Sequence, residues 1–238
     1  MTLGGQVAIV TGAGRGIGRA VAHALVREGA AVALAARTRQ ELAAVAAEIR
    51  QEGGRALAVP TDVTQDTAVE ALVEQTVAEL GRVDLLVTAA GVAAFGPVSG
   101  SKPGDWDAML TVNLRATMVC CRAVLPAMTR QRKGTIVNVA SIAATRAIAG
   151  AAVYSATKAG VVAFSRVLAE EVRGDGVRIG VILAGATDTP LWDTIPNAPD
   201  RARMLRPEDV ARAVVLMAAL PLRGTLEEVT LLPADGIL

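Results

Sequence analysis

Residues 6–18, QVAIVTGAGRGIG, decide the fold of this chain: a short apolar run leads into a glycine-rich turn, and a helical pattern follows through Arg27. A strand, a glycine turn and a helix start in this order bring free backbone amides and the positive end of the helix dipole together, which favours a pyrophosphate. Gly12, Gly16 and Gly18 have the spacing G-x-x-x-G-x-G instead of the common dinucleotide fingerprint G-x-G-x-x-G. By itself such a loop is also compatible with a plain turn, and the rest of the chain distinguishes the two interpretations.

The alternation of strand and helix continues along the whole chain. Strands are predicted near residues 7–10, 31–36, 56–59, 85–88, 135–139, 178–183 and 228–232. Helices are predicted near residues 16–28, 39–52, 64–80, 106–131, 153–172 and 207–220. No linker or low-complexity stretch interrupts them, which predicts one α/β domain over residues 1–238: a Rossmann-type, doubly wound, seven-stranded parallel sheet with helices on both faces.

Composition agrees with that fold and disfavours several classes of protein. Apolar residues make up 52% of the chain and aromatic residues only 2%, so the core is expected to consist of Ala, Val, Leu and Ile, which suits a parallel sheet buried on both faces. The formal net charge of +1 gives no electrostatic case for a nucleic-acid partner. The longest apolar run, residues 213–222, is shorter than the roughly 20 residues that span a bilayer. The first residues lack a secretory pattern, so a cytoplasmic protein without a membrane partner is expected.

The cysteines and the single histidine do not indicate a metal or a disulfide. Cys120 and Cys121 are adjacent on a predicted helix, where the spacing does not suit a disulfide, and we interpret them as reduced core thiols. His23 lies on the first predicted helix without a cluster of partners, which indicates a packing or surface role.

The only tyrosine of the chain lies in YSATK, residues 154–158, four residues before Lys158. Four residues are about one helical turn, so the phenol and the ammonium are expected above the same surface spot. A free phenol titrates near pH 10, and a nearby cation stabilises its anion, which makes it a usable proton donor and acceptor nearer neutral pH. On spacing alone, such a pair is more often two surface neighbours.

Four features in order resemble the short-chain dehydrogenase/reductase family: the loop at residues 11–18, Asn113, Ser141, and the pair Tyr154 and Lys158. In that family a serine lies shortly before the tyrosine and an asparagine lies on the preceding long helix. The resemblance covers nearly the whole chain.

Two motifs depart from the pattern of the family. Its N-N-A-G reads TAAG at residues 88–91, which affects asparagine contacts near the adenosine side of the cofactor, and its P-G reads Ala184-Gly185, which loosens the turn before the substrate loop. The frequent glycine-rich ending of the family is also absent. None of these departures removes a catalytic group.

By this resemblance, the reaction is hydride transfer between a nicotinamide and a carbonyl or carbinol carbon. Tyr154 then exchanges a proton with the substrate oxygen, and Ser141 hydrogen-bonds the same oxygen. Lys158 holds the nicotinamide ribose and lowers the pKa of Tyr154, and Asn113 positions a water between Lys158 and solvent. The expected function is an NADP(H)-dependent oxidoreductase acting on a carbonyl or secondary alcohol. A 3-oxoacyl-[acyl-carrier-protein] reductase, a non-catalytic NADP(H)-sensing regulator and a structural subunit stay open as alternatives.

The end of the second predicted strand bears on the choice of cofactor. An NAD enzyme generally carries Asp or Glu there, but this chain offers no acid until Glu41. Arg37, helped by Arg15, is suited to a 2′-phosphate, which predicts NADP(H) in preference to NAD(H), with NAD(H) possible. Alternatively, both arginines are solvent-exposed loop charges. The resemblance implies these cofactor-binding residues: Gly12, Arg15, Gly16, Ile17, Gly18, Arg37, Asp62, Val63, Ala90, Gly91, Tyr154, Lys158, Gly185, Thr187 and Thr189.

Residues 185–206, which include Pro190, Pro196 and Pro199, are predicted to form a mobile apolar lid over the active site. Core or oligomer packing explains the same apolar residues about as well. Arg146 is interpreted as a solvated loop charge, and the sequence leaves the substrate itself unidentified. The predicted substrate pocket consists of Ala93, Ile142, Leu191 and Trp192.

Family members usually assemble through their fourth and fifth helices, so a homo-oligomer, either a dimer or a homotetramer, is expected. Small residues on those two helices permit close packing between subunits: Ala116, Ala123, Ala156, Ala159 and Ala163.

Overall fold

The computed structural model describes residues 2–195, 198–221 and 223–238, whose strands form one sheet covered by helices. The strands are β1 (Val7–Thr11), β2 (Ala31–Ala36), β3 (Ala56–Pro60), β4 (Leu85–Thr88), β5 (Gly134–Val139), β6 (Val177–Ala184) and β7 (Glu228–Leu231). The α-helices are α1 (Gly16–Arg27), α2 (Arg39–Gln51), α3 (Asp66–Leu80), α4 (Pro103–Met109), α5 (Ala116–Gln131), α6 (Ala152–Val172) and α7 (Pro207–Ala219).

The sheet has the order β3-β2-β1-β4-β5-β6-β7, and all neighbouring strands are parallel. Val7 of β1 lies opposite Ala31 of β2, and Ala8 of β1 lies opposite Leu85 of β4. The order of the strands reverses between β1 and β4, and in sheets of this kind ligands bind at the carboxyl ends of the strands at such a point. The predicted doubly wound, seven-stranded parallel sheet is confirmed.

Small aliphatic side chains fill both faces of the sheet. Side chains of a strand point alternately to its two faces. Along β1, Ala8 and Val10 therefore belong to the hydrophobic cluster that includes residues of α1, α2 and α7, whereas Ile9 belongs to the cluster beneath α3, α5 and α6. The sheet is buried on both sides, as the aliphatic composition predicts.

One predicted helix differs from the structure. The pattern predicts a continuous helix over residues 106–131, but α4 already begins at Pro103, and a π-helix, Leu110–Arg115, lies between α4 and α5. Proline suits the first helical position because its missing N–H has no partner there. A π-helical turn changes the hydrogen-bond register of a helix and is frequent at functional sites; this one contains Asn113.

The helical run at residues 103–131 is long and apolar enough, by length and composition alone, to cross a membrane. Nevertheless, 44% of its most apolar window is buried inside the molecule, and α5 belongs to the cluster on one face of the sheet. Because a core helix passes the same test, this run is weak evidence for a membrane span.

Candidate active site

The glycine turn after β1 forms a cradle that side chains would close. Gly12 and Gly16 have φ angles of +67° and +54°, a backbone conformation that other residues rarely adopt. A Cβ on Gly18 would collide with the carbonyl oxygen of Gly12, so the start of α1 packs directly on the turn. The first turn of α1 contains no acidic residue. Its free amides and dipole are therefore available for the phosphates of a dinucleotide.

Thr11 joins the carboxyl ends of β1 and β4. Its Oγ1 accepts hydrogen bonds from the backbone amides of Ala89 at 3.1 Å and Ala90 at 3.3 Å. Thr88, at the first position of TAAG, donates a hydrogen bond from Oγ1 to Asn138 Oδ1 at 2.7 Å. The rim of the sheet is thus tied together although the asparagines of the family's motif are missing.

A cleft of about 280 Å³ runs along this rim, from the end of β2 across the glycine turn to α6. The predicted cofactor residues that line it are Gly12, Arg15, Gly16, Ile17, Arg37, Asp62, Val63, Ala90, Gly91, Tyr154, Lys158 and Thr189. Gly18 lies beneath the turn, and Gly185 and Thr187 line a neighbouring cavity instead, because the chain after β6 turns away towards the segment that starts at Pro190. Sequence reasoning missed Thr38, Thr61 and Val112 on the walls of the cleft and did not assign Glu41 to it.

Two arginines and two acids line the outer end of the cleft. Arg15 and Arg37 are exposed there, and Glu41 and Asp62 are partly buried. Asp62 accepts hydrogen bonds from the amide and the hydroxyl of Thr64, at 3.0 and 2.8 Å. These bonds, and more weakly the charge of Arg37, lower the pKa of Asp62. Asp62 is therefore ionised and engaged by its own loop.

Tyr154 lies at the inner end of the cleft, and Ser141 lies next to its phenol. Ser141 follows β5, caps a short 3-10 helix, Ile142–Ala144, and accepts a hydrogen bond from the amide of Ala143 at 3.2 Å. Burial raises the pKa of Tyr154, and a hydrogen bond with Ser141 partly offsets this effect. The phenol is therefore protonated at neutral pH and placed to donate a proton.

Lys158 is buried one turn of α6 beyond Tyr154, with 6% of its surface exposed. Its Nζ donates a hydrogen bond to the carbonyl oxygen of Val139 at 2.9 Å and lies 5.8 Å from the centre of the Tyr154 ring. Burial lowers the pKa of Lys158 to about 8. Burial is the largest influence on the pKa of Tyr154, and the lowering of that pKa by Lys158 stays a prediction.

Asn113 is fully hydrogen-bonded within the protein. Its side chain exchanges two hydrogen bonds with the backbone of Val92, both at 2.9 Å, and its Nδ2 also contacts Thr157 Oγ1 at 3.2 Å. A Cβ on Gly91 would lie 3.4 Å from Asn113 Oδ1 and 3.9 Å from Lys158 Nζ. Asn113 therefore fixes the segment after β4, which passes close to the Lys158 ammonium.

A second cavity of about 280 Å³ lies beside the cleft and is mostly apolar. Ser141, Ile142, Leu191 and Trp192 line it, and no charged side chain of the described residues does. Ala93 does not line this cavity, contrary to prediction, whereas Phe95, two residues further along the chain, does. Sequence reasoning also missed residues at the far end of the chain, for which no motif existed: Ile237 and Leu238.

Three of the five aromatic residues of the chain meet in this cavity. The Phe95 ring lies 5.5 Å from the Tyr154 ring, edge to face at 77°, and 5.9 Å from the Trp192 ring. Edge-to-face pairs are stabilised by the positive edge of one ring against the negative face of the other. The aromatic contact therefore fixes the Tyr154 phenol from the side of the apolar cavity.

Tyr154 lies where the two spaces join. The residues shared by the cleft and the apolar cavity are Ile17, Ala140, Tyr154, Thr189 and Leu191. Any two molecules that occupy the cleft and the cavity together therefore meet at the phenol.

The predicted lid at residues 185–206 covers this junction in part. A 3-10 helix, Pro190–Thr194, carries Leu191 and Trp192 to the cavity, and Trp192 Nε1 donates a hydrogen bond to the Thr187 carbonyl oxygen at 2.9 Å. Pro196 lies outside the described residues. Arg146 is exposed and lines neither space.

Other reactive groups lie away from the site. Cys120 and Cys121 are buried and unpaired, and burial raises the pKa of both thiols, that of Cys120 to about 12. His23 is buried on α1, with Nε2 3.1 Å from Glu48 Oε2. In the described ranges no group of His, Cys, Asp and Glu is arranged to hold a metal ion.

Comparisons with known proteins agree with this geometry. The family model for short chain dehydrogenase matches residues 6–200. An uncharacterized oxidoreductase of Staphylococcus aureus is 35% identical over 228 residues, which are 96% of this chain and 97% of that protein. A solved metagenomic short-chain oxidoreductase in complex with NADP has a TM-score of 0.85 at 36% identity, over 98% of this chain and 99% of that chain. An alcohol dehydrogenase from the archaeon Thermococcus sibiricus, complexed with 5-hydroxy-NADP, has a TM-score of 0.89 at 32% identity, over 96% of this chain and 97% of that chain. The chain belongs to the short-chain dehydrogenase/reductase family of oxidoreductases.

Proposed function

We propose that this protein is an NADP(H)-dependent oxidoreductase that reduces an uncharged, apolar carbonyl compound, or oxidises the corresponding secondary alcohol, with Tyr154 as the proton donor and acceptor. One observation carries the proposal: Tyr154 is half-buried at the junction of the cleft along the glycine turn and an apolar cavity, next to Ser141 and one helical turn from Lys158.

The glycine turn supports a bound dinucleotide. The positions of Gly12, Gly16 and Gly18 leave room for backbone amides to approach a pyrophosphate, and α1 brings its positive end to the same place. Arg15 and Arg37 at the outer end favour a 2′-phosphate, which supports NADP(H) as the preferred cofactor and leaves NAD(H) possible. Two similar solved structures contain NADP or a derivative of it, which agrees with that preference.

Each side chain at the junction then has a separate role in the reaction. When bound, the reduced nicotinamide supplies the hydride that a carbonyl carbon takes up. Tyr154 donates its proton to the carbonyl oxygen, so the product is an alcohol, and Ser141 hydrogen-bonds the same oxygen and polarises it. Lys158 holds the ribose next to the reacting ring and supplies the positive charge that stabilises the tyrosinate left behind.

Asn113 acts through its neighbours. By holding Val92 and Thr157, it keeps the chain around Lys158 in place, and we assign it a positioning role next to the three catalytic side chains. The water that the family resemblance places between Lys158 and solvent belongs to the same proposal.

The lining of the apolar cavity restricts the substrate. A charged substrate would lose its hydration without finding a charged partner among the described lining residues, whereas a flat or aliphatic ketone gains contact with Phe95, Trp192 and Ile142. A cavity of about 280 Å³ suits a compound of modest size.

Oxidation of NADPH, with NADH in parallel, tests the function across aldehydes, ketones, diketones and a 3-oxoacyl thioester. Each ketone is paired with the keto acid of the same carbon skeleton. We expect turnover of neutral compounds by the wild type, little turnover of the keto acids, and loss of nearly all turnover in Tyr154→Phe with unchanged NADPH affinity. Normal turnover in Tyr154→Phe contradicts the catalytic assignment. Tight NADPH binding without any turnover by the wild type favours a sensing role, and selective turnover of the thioester favours a 3-oxoacyl-[acyl-carrier-protein] reductase.

A further inference from the structure

The Glu41 side chain packs directly on the glycine turn. Glu41 lies in the first turn of α2, and no helix-capping hydrogen bond at Thr38 engages a side chain there. A Cβ on Gly14 would lie 2.7 Å from Glu41 Oε2 and 3.0 Å from Glu41 Cβ. The absence of a side chain at Gly14 therefore lets the carboxylate extend over the turn and into the wall of the cleft.

Glu41 shares the outer end of the cleft with two cations that it does not neutralise by direct contact. None of the ion pairs of the described residues includes Arg15, Arg37 or Glu41. The other acid there, Asp62, is engaged by Thr64. Glu41 is therefore the acid of this region whose oxygens are free for a ligand.

The two forms of the cofactor differ only at the 2′-position of the adenosine ribose, and these side chains act on them in opposite ways. A 2′-phosphate is attracted by guanidinium groups and repelled by a nearby carboxylate. A 2′-hydroxyl donates a hydrogen bond to a carboxylate and gains little from an arginine. The outer end of the cleft thus contains arginines suited to the 2′-phosphate of NADP(H) and a carboxylate suited to the 2′-hydroxyl of NAD(H).

We propose that Glu41 sets the ratio of cofactors: it weakens the binding of a 2′-phosphate that Arg15 and Arg37 favour, and it accepts a hydrogen bond from a 2′-hydroxyl. The protein consequently uses both NADP(H) and NAD(H), with a moderate preference for NADP(H). This inference rests on the proposed function, since it requires a nicotinamide dinucleotide in the cleft.

Binding of two nucleotides that cannot react isolates this effect from catalysis. Calorimetry with adenosine 2′,5′-bisphosphate and with adenosine 5′-monophosphate gives the dissociation constants for the wild type, Glu41→Gln and Glu41→Asp. The matched control is Glu74→Gln, which removes the same charge from an exposed position on α3.

We expect Glu41→Gln to bind the bisphosphate about tenfold more tightly and the monophosphate several-fold more weakly, since one like charge is removed near the phosphate in partly screened surroundings. Glu41→Asp, in which the carboxylate is withdrawn by one methylene, should lie between the two. Glu74→Gln should leave both constants within about twofold of the wild type, because Glu74 does not line the cleft and its exposed charge is screened by solvent and salt.

The possible results distinguish a failure of the role of Glu41 from a failure of the proposed function. Wild-type binding of both nucleotides with an unchanged ratio in Glu41→Gln overturns the role of Glu41 and leaves the proposed function standing. An equal shift in Glu74→Gln also overturns it, because net charge alone would then explain the change. Absence of binding of either nucleotide by the folded wild type overturns the proposed function and this inference together.

Discussion

Lys158 Nζ donates a hydrogen bond to the carbonyl oxygen of Val139 at 2.9 Å, which ties α6 to the last residue of β5. Ser141 follows two residues later, so the same contact fixes the ammonium relative to the loop that carries the serine. The ammonium occupies this position at an electrostatic cost, since burial lowers the pKa of Lys158 from its ordinary 10.5 to about 8.

Replacing Lys158 by methionine should stabilise the protein while it abolishes turnover. Because the folded pKa lies below the unfolded one, the folded protein binds fewer protons between pH 8 and 10.5, and its stability rises with pH across this window. Below pH 8 the buried charge lowers the free energy of unfolding of the wild type by about 3 kcal/mol. The variant regains this energy but loses the hydrogen bond to Val139, which contributes about 1 kcal/mol. We expect the Tm of Lys158→Met to exceed that of the wild type by a few degrees at pH 7, measured by scanning calorimetry.

The advantage of Lys158→Met should shrink towards pH 10.5, where the wild-type lysine is neutral in the folded protein and half protonated in the unfolded chain. Lys102→Met, at an exposed lysine, should change the Tm at neither pH. A lower Tm of Lys158→Met at pH 7 would contradict the burial cost.

Replacing Gly18 by alanine should destabilise the protein and weaken cofactor binding. The added Cβ has no room against the Gly12 carbonyl oxygen, and forcing a methyl group into a packed site costs about 1–3 kcal/mol. The glycine turn moves as a result, so NADPH affinity should fall at least about tenfold, because the amides no longer reach the pyrophosphate. Gly4→Ala is the control, since nothing lies within 4 Å of its added Cβ; equal effects of the two substitutions on Tm and affinity would refute the argument.

Phe95→Leu should lower kcat/KM about threefold to tenfold, because an edge-to-face contact with Tyr154 contributes about 0.5–1.5 kcal/mol beyond its buried area. NADPH affinity should stay unchanged, since Phe95 lines the apolar cavity and not the cofactor cleft. The control is Phe164→Leu: Phe164 is partly buried and packs against the core away from both spaces, so the substitution should change stability without changing kcat/KM. A loss of NADPH affinity in Phe95→Leu would show that its role is not confined to the substrate side.

The outer face of α6 should form a subunit interface. Val167 is 60% exposed, and the exposed residues Ala156, Ala159 and Ala163 precede it at helical spacing. Ala116 of α5, predicted to belong to this face, is buried in the core of the subunit because the helix turns it towards the sheet.

Light scattering should therefore give a dimer or tetramer for the wild type and smaller species for Val167→Glu, since a buried charge without a partner opposes association. Val77→Glu on α3 carries the same charge at an exposed position and should leave the assembly intact. A monomeric wild type at micromolar concentration would contradict the prediction that the outer face of α6 is a subunit interface.

The sheet was predictable because its signals are local. All seven strands lie within two residues of their predicted bounds, since apolar runs between glycine turns mark them directly. The π-helix at Asn113 was not predictable, because a one-residue change in hydrogen-bond register leaves the apolar periodicity of the helix almost unaltered.

The sequence predicted more of the residues that line the cleft than of those that line the apolar cavity. The cleft follows the ends of strands, so Arg37 was predicted from the end of β2, and the family resemblance implied Asp62 after β3; both line the cleft. Ile237 also lines the apolar cavity, but it lies far from any motif, and only the tertiary fold brings it beside Tyr154 of α6 and the segment after β6. Glu41 was visible as the first acid after β2, but its orientation towards Gly14 depends on how α2 packs on the glycine turn.

Trp192 and Trp106 are the only tryptophans of the chain, and they lie in different surroundings. The Trp192 indole lines the apolar cavity beside Phe95, whereas the Trp106 indole donates a hydrogen bond to Ser101 Oγ at 2.9 Å. The protein thus has one fluorescent indole in the apolar cavity and a second one outside it. Fluorescence titration of the unlabelled protein can follow occupancy of that space directly, with Trp106 as a steady background.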